Sequence, residues 1–206
     1  MISFNLLVLF IAALVFYLLF SLFYGAFVEV GFSRLEASLI VFGSLLLGLV
    51  DIYLFTYGNW RIAVNIGGAV IPVMVSVYLT AKRKFVGRAL LGIALVSLFT
   101  YQVTEVTTRG ISSPFPLWLL PPAVASLFSL LACYRKPRQA APLAYVTGTL
   151  GVLVGADFFH LPELLRLPTP QTVTASIGGA AIFDMVFLAG IIAVLIDSLF
   201  MARRQG

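Results

Sequence analysis

The chain has little charge. Of its 206 residues, 8 are acidic and 13 basic, a charged share of 10% against 61% hydrophobic residues and a mean hydropathy of +1.08. A water-soluble domain of this length cannot cover its surface with so few charges. A soluble fold is therefore excluded and an integral membrane protein expected. A single cysteine, Cys133, excludes an intrachain disulfide and a cysteine-built metal site, and beside "YRK" it reads as a packing residue. The N-terminal run lacks a basic leader and a small-residue cleavage site, so the first segment is expected to be a permanent span. The net charge of +5 does not point to nucleic acid, because the basic residues sit in short loops between apolar runs.

Seven apolar stretches are long enough to cross, at ~20 residues for ~30 Å of hydrocarbon. They run over residues 3–31, 36–57, 62–81, 86–106, 115–134, 141–161 and 173–201, joined by turn-forming segments such as "YGNWR" and "YRKPRQ". Lys82, Arg83, Lys84, Arg88, Arg135, Lys136, Arg138, Arg203 and Arg204, with Arg34, fall on one side, against Arg61, Arg109 and Arg166 on the other. The positive-inside rule then predicts an all-α, seven-span protein of the cell membrane, N-terminus outside and C-terminus cytoplasmic. Tyr53, Tyr57, Trp60 and Trp118 fall at the outer boundary, as an aromatic belt would. The loops leave no room for a soluble domain, so residues 1–206 form a single polytopic unit in contact with lipid.

Two stretches echo one another, "VNIGGAVIP" (Val64 to Pro72) and "ASIGGAAIF" (Ala175 to Phe183). Each follows a run that ends with an acid, Asp51 or Asp157. One reading is a parallel repeat of three helices, a connector and three helices, with units 1–81 and 115–203 around a linker helix 86–106. The other is a chance likeness between helices rich in small residues. Gly67, Gly68, Gly178 and Gly179 let a helix or an extended peptide approach the backbone. Asn65 and Ser176 offer side-chain oxygens suited to helix starts, and Pro72 frees a backbone carbonyl a turn earlier.

Asp184 and Asp157 are the acids expected at membrane depth, Asp184 ~10 Å below the outer boundary and Asp157 at nearly the same level. A charge there costs several kcal/mol and usually serves a function. No Lys or Arg lies at matching depth, so the two carboxyls are expected to face each other and share a proton. That state suits aspartyl-type hydrolysis, and equally proton-coupled transport. A neutral aspartic acid tying helices together is the structural alternative. The only histidine, His160, is three residues from Asp157 and is expected to tune or hydrogen-bond that acid, with no metal or other cofactor called for. The other acids, Asp197 among them, lie near span ends, where solvation or pairing accounts for them. Of these, Asp51 and Glu105 could line a path.

"NIGGAVIP", "GADFFHLP" and "SIGGAAIFDMVFLAGI" together resemble a family of small archaeal and bacterial integral membrane proteins known only as a domain of unknown function. The resemblance implies a fold class and supplies no activity. In layout the chain is also similar to intramembrane aspartyl proteases of the presenilin, signal peptide peptidase and prepilin-peptidase group. These place one aspartate late in one helix and another early in the next. The letters differ: "IGGAAIFD" stands for Gly-x-Gly-Asp, "GAD" for Tyr-Asp, and "VIP" precedes the acids. A three-plus-one-plus-three design resembles seven-span sugar transporters and trimeric cation channels as well.

Three functions stay open at this point. One is an intramembrane protease-like hydrolase using Asp157 and Asp184 on a transmembrane peptide. The second is a proton- or cation-coupled carrier or channel for a small solute. The third is a structural membrane subunit.

Overall fold

The computed structural model describes residues 4–202; Arg203 and Arg204 lie outside the described residues. The first apolar run forms one helix, α1 (Phe4–Val30), followed by Gly31 at φ 106°. Its first half exposes Leu6, Leu9, Phe10 and Tyr17, while Phe23, Ala26, Phe27 and Val30 are buried. Helix α2 (Arg34–Leu47) starts at a capping box: Glu36 N donates to Ser33 Oγ at 3.3 Å and Ser33 N donates to Glu36 Oε2 at 2.8 Å.

Three of the expected spans are part helix and part strand, which corrects the all-helical reading. The second run leaves the helix at Gly48 and continues as β1 (Asp51–Tyr57). The third opens with β2 (Trp60–Asn65), passes through a π-helical turn at Ile66–Val70, and only then becomes α3 (Ile71–Arg83). "DIYLFTY" and "WRIAVN" are rich in β-branched and aromatic residues and flank a Gly-Asn turn with Gly58 at φ 56°, so they pair as an antiparallel hairpin. Hydropathy registers aversion to water and cannot tell such strands from buried helix.

Helix α4 (Val86–Val103) follows, then a small hairpin of β3 (Glu105–Thr107) and β4 (Gly110–Ser112), then α5 (Leu120–Ala132). Helix α6 (Ala140–Val152), a π-helical stretch (Leu153–Phe158) and α7 (Phe159–Arg166) run on as one rod. The last run begins as β5 (Val173–Ile177), parallel to β2 with Trp60 opposite Val173 and Val64 opposite Ile177. Its helix, α8 (Met185–Ala202), starts well after residue 173. The sheet order is β1-β2-β5.

The protein is thus predominantly helical. Three of its rods, α1, α4 and the α6–α7 run, are long and apolar enough to cross a membrane. Apolar on all sides, α6 buries every residue but Leu150, which marks it as the central helix. Small residues bring α8 against it: Gly148 lies on the Ala189 backbone and Gly190 on the Tyr145 ring. Phe27, Tyr145 and Phe187 fill the centre, with ring centroids 5.4 Å apart for Phe27–Tyr145 and 6.2 Å for Phe27–Phe187.

The two ends of the bundle differ. At one, the basic loops meet: Arg83 donates to the Val30 carbonyl, Gln139 to the Arg83 carbonyl, and Arg88 to Gln139 Oε1. At the other lie the strands and α7. Trp60 belongs there, but not to an aromatic belt, which is a further correction. It is 1% exposed, packed with Ile62 and Leu164, and its Nε1 donates to the Leu167 carbonyl at 2.9 Å. Pairing in the sheet turns its ring inward.

Candidate functional site

Asp157 stands on the π-helical stretch between α6 and α7. Such a turn carries a surplus residue and occurs often at functional positions. Asp184 is not inside a helix, as sequence depth suggested. It precedes α8 in extended conformation (ψ 146°) and acts as its cap: Oδ1 accepts from Val186 N at 2.9 Å and Oδ2 from Ala180 N at 3.4 Å. The strand and turn of residues 173–183 use up the length assigned to helix, which moves the acid to the helix start.

Both aspartates are half-buried and line the same two adjoining cavities. One, of about 320 Å³, runs between Thr104, Trp118, Phe183, Met185 and Leu188 and is largely apolar. The other, of about 460 Å³, is walled by Asp51, Arg109, Thr174 and Ser176 and is polar. Ile111, Asp157, Ala180 and Asp184 belong to both, so the two acids mark the junction. Among the described residues no hydrogen bond joins them, and neither forms an ion pair with Lys or Arg.

The glycine motifs build the floor of this site. Asn65 is buried, its Oδ1 accepting from Gly68 N at 2.8 Å while its Nδ2 donates to the Gly48 carbonyl at 2.8 Å and to Asp51 Oδ1 at 3.0 Å. Ser176 Oγ donates to the same Asp51 oxygen at 2.7 Å. Asp51 thus ties β1 to β2 and β5. Gly67 lies on the Ser44–Gly48 backbone, and Gly68 lies on the backbone of Gly178 and Ala181, where a methyl group would overlap main chain. Gly178 has φ 71° and meets Gly68 and Ala69 in return. The two "IGGA" segments therefore touch, one as a π turn and the other as a tight turn, and Gly179 faces the polar cavity. Pro72 is buried in the first turn of α3, where its missing N–H costs least.

The expected contact between His160 and Asp157 does not form. His160 Nδ1 lies 3.2 Å from Glu163 Oε2 and Nε2 3.0 Å from Thr104 Oγ1, with the ring stacked on Tyr101 at 4.5 Å. The helix changes from π to α between the two residues, so a spacing of three no longer puts them on one face. Glu105 is exposed at the start of β3, opposite Ser112, and lines neither cavity. Sequence reading missed Trp118, Arg109 and Thr174 as cavity residues, since only the strands and hairpins bring them together. It also missed Asp197, which is 0% exposed rather than solvated, and whose signal was the Ser126 and Ser129 pair one turn apart on α5.

No curated protein and no solved structure matches the chain. One family model does, over residues 25–196, covering every element from late α1 to late α8: the chain belongs to the DUF1614 family of proteins of unknown function.

Proposed function

We propose that this protein is an intramembrane hydrolase of aspartyl type, with Asp157 and Asp184 as its catalytic pair and an extended peptide as its substrate. The observation that carries the reading is the position of both acids at the junction of an apolar and a polar cavity, with no cation among the described residues paired to either. In this reading one of the two acids is protonated and the other ionised, a state that needs no cation. The ionised acid takes a proton from water as that water attacks the peptide carbonyl, and the protonated acid donates to the carbonyl oxygen.

Strand geometry supports a peptide substrate. β5 pairs only with β2, and β4 only with β3, so each has an unpaired edge. Thr174 to Ile177 of one and Gly110 and Ile111 of the other border the polar cavity. An added strand would satisfy those edges and lead its chain past the two acids. The apolar cavity beside Phe183 and Leu188 suits the membrane-embedded part of such a peptide.

The reading includes a topology. All seven rods cross the cell membrane, with the basic loops of Lys82–Lys84 and Arg135–Arg138 in the cytoplasm and the sheet and cavities on the outer side. Reporter fusions after Lys84 and after Arg138 are expected to read as cytoplasmic, and an external signal at either would overturn it.

Cleavage of a reconstituted transmembrane peptide by wild type and by Asp184→Asn tests the chemistry. Loss of cleavage in the folded variant is expected, and equal cleavage would sink the proposal. If there is no cleavage but a pH-dependent solute flux that the variant loses, the pair belongs to a carrier.

A further inference from the structure

A second carboxylate site lies in the half of the bundle away from the cavities. Asp197 on α8 is fully buried, about 7 Å before the end of its helix at ~1.5 Å per residue. Ser126 Oγ lies 2.5 Å from Asp197 Oδ1, and Ser129 Oγ lies 2.6 Å from Oδ2. Ser129 Oγ also lies 2.8 Å from the Ser126 carbonyl. A hydroxyl has one hydrogen, so Ser129 serves either the carbonyl or the carboxylate. The set closes with every group satisfied when Ser126 donates to Oδ1, Ser129 donates to the carbonyl, and a protonated Oδ2 donates to Ser129.

Two carboxyl oxygens and two hydroxyl oxygens therefore surround a single removable proton, with the Ser126 carbonyl one hydrogen bond behind Ser129. We propose that this cluster binds one hard monovalent cation of sodium size in exchange for that proton. When the proton leaves, Asp197 becomes a carboxylate, the hydroxyls turn their lone pairs inward, and the cation takes the place of the hydrogen. Charge is conserved: one proton leaves for each cation that enters. All-oxygen ligands favour a hard ion, and one carboxylate balances a single positive charge, not two.

Among the described residues few charges compete. From α5 the neighbour is the Cys133 thiol, near enough for the charge of Asp197 to act on it, and Arg88 of α4 donates to that sulfur at 3.2 Å. On α6 the titratable group is Tyr145, packed on Phe27 nearer the middle of the bundle. The charged side chain of α1 is Glu29, which is exposed. A largely apolar cavity of about 400 Å³ bordered by Leu130, Ile196 and Tyr134 adjoins the cluster at Ser126.

Thermal unfolding of the purified full chain in detergent tests the site, with sodium or potassium chloride replacing choline chloride at constant ionic strength. At about pH 8.5, Tm is expected to rise with the logarithm of sodium concentration, far less with potassium, and less at about pH 6, where protons compete. Asp197→Asn is expected to fold and lose the sodium dependence. Asp184→Asn is expected to keep it, which separates this site from the catalytic pair. If Asp197→Asn does not fold, Ser129→Ala serves, with a weakened sodium dependence expected. No sodium-specific rise in wild type, or an unchanged rise in the Asp197 variant (or in Ser129→Ala where it serves), would overturn the proposal.

Discussion

Helix α8 has an aspartate at each end, and the two are partnered in opposite ways. Asp184, at the start, receives main-chain N–H groups and otherwise faces open cavities. Asp197, near the other end, is enclosed by two hydroxyls and sees no cavity directly. The first is held in place but left chemically free. The second is satisfied by its neighbours. In an apolar surrounding, a carboxyl that the fold leaves unpaired is available to a visitor, whereas one it pairs fully acts as a tie or exchanges its proton for something of like charge.

The largest effect should separate the two directly. Asp157→Asn and Asp184→Asn should each lower peptide cleavage by about 10²- to 10⁴-fold with little change in unfolding temperature, whereas Asp197→Asn should leave cleavage nearly intact. A reconstituted cleavage assay on all three measures this. If Asp197→Asn proves as inactive as the others, the two sites are coupled.

Next in size is the support beneath the open site. Gly68→Val drives a branched side chain into the backbone of Gly178 and Ala181, and should cost roughly 3 kcal/mol in denaturant unfolding. Asn65→Ala removes the cap on Gly68 N and the bond to Asp51, at about 1–2 kcal/mol. Comparable losses from the two variants would show that the glycine contact matters no more than the cap. On the closed site, Ser126→Ala should cost about 1 kcal/mol.

The smallest effect is at Cys133. Its thiol is 1% exposed and accepts a hydrogen bond from Arg88 at 3.2 Å. Maleimide labelling of the folded protein should therefore stay slow as pH rises past about 8.5, where an unfolded thiol ionises and reacts quickly. Rapid labelling of the native chain would mean that the closed end opens.

Some of this was legible from letters alone. The helices α1, α4, α5 and α6 follow from long apolar runs, whereas counting depth put Asp184 inside a helix and not at its start, although both acids line the same cavities. The strands of the three-stranded sheet did not follow, because "DIYLFTY", "WRIAVN" and "VTASI" lie within or at the ends of runs read as single spans, and β2 pairs with β5 across more than a hundred positions. Trp60 was misplaced for the same reason. Asp197 was missed because its distance from a span end suggested water, while its two serines sit on another helix. His160 was paired with the wrong acid because a spacing of three holds only while the helix stays α.

That departure from α has a consequence for insertions and deletions. The stretch Leu153–Phe158 holds one more residue than an ordinary turn can take up. Deleting Val154 would let the rod close as regular α-helix, removing the bulge and leaving α7 nearly where it is. His160 would stay at Thr104, and Leu161 and Leu164 at the polar cavity, while Asp157 would lose the widened turn that presents it. The loss of one codon, which would turn the far half of a regular helix such as α1 and its buried Phe27 by about 100°, would here be taken up within a single turn.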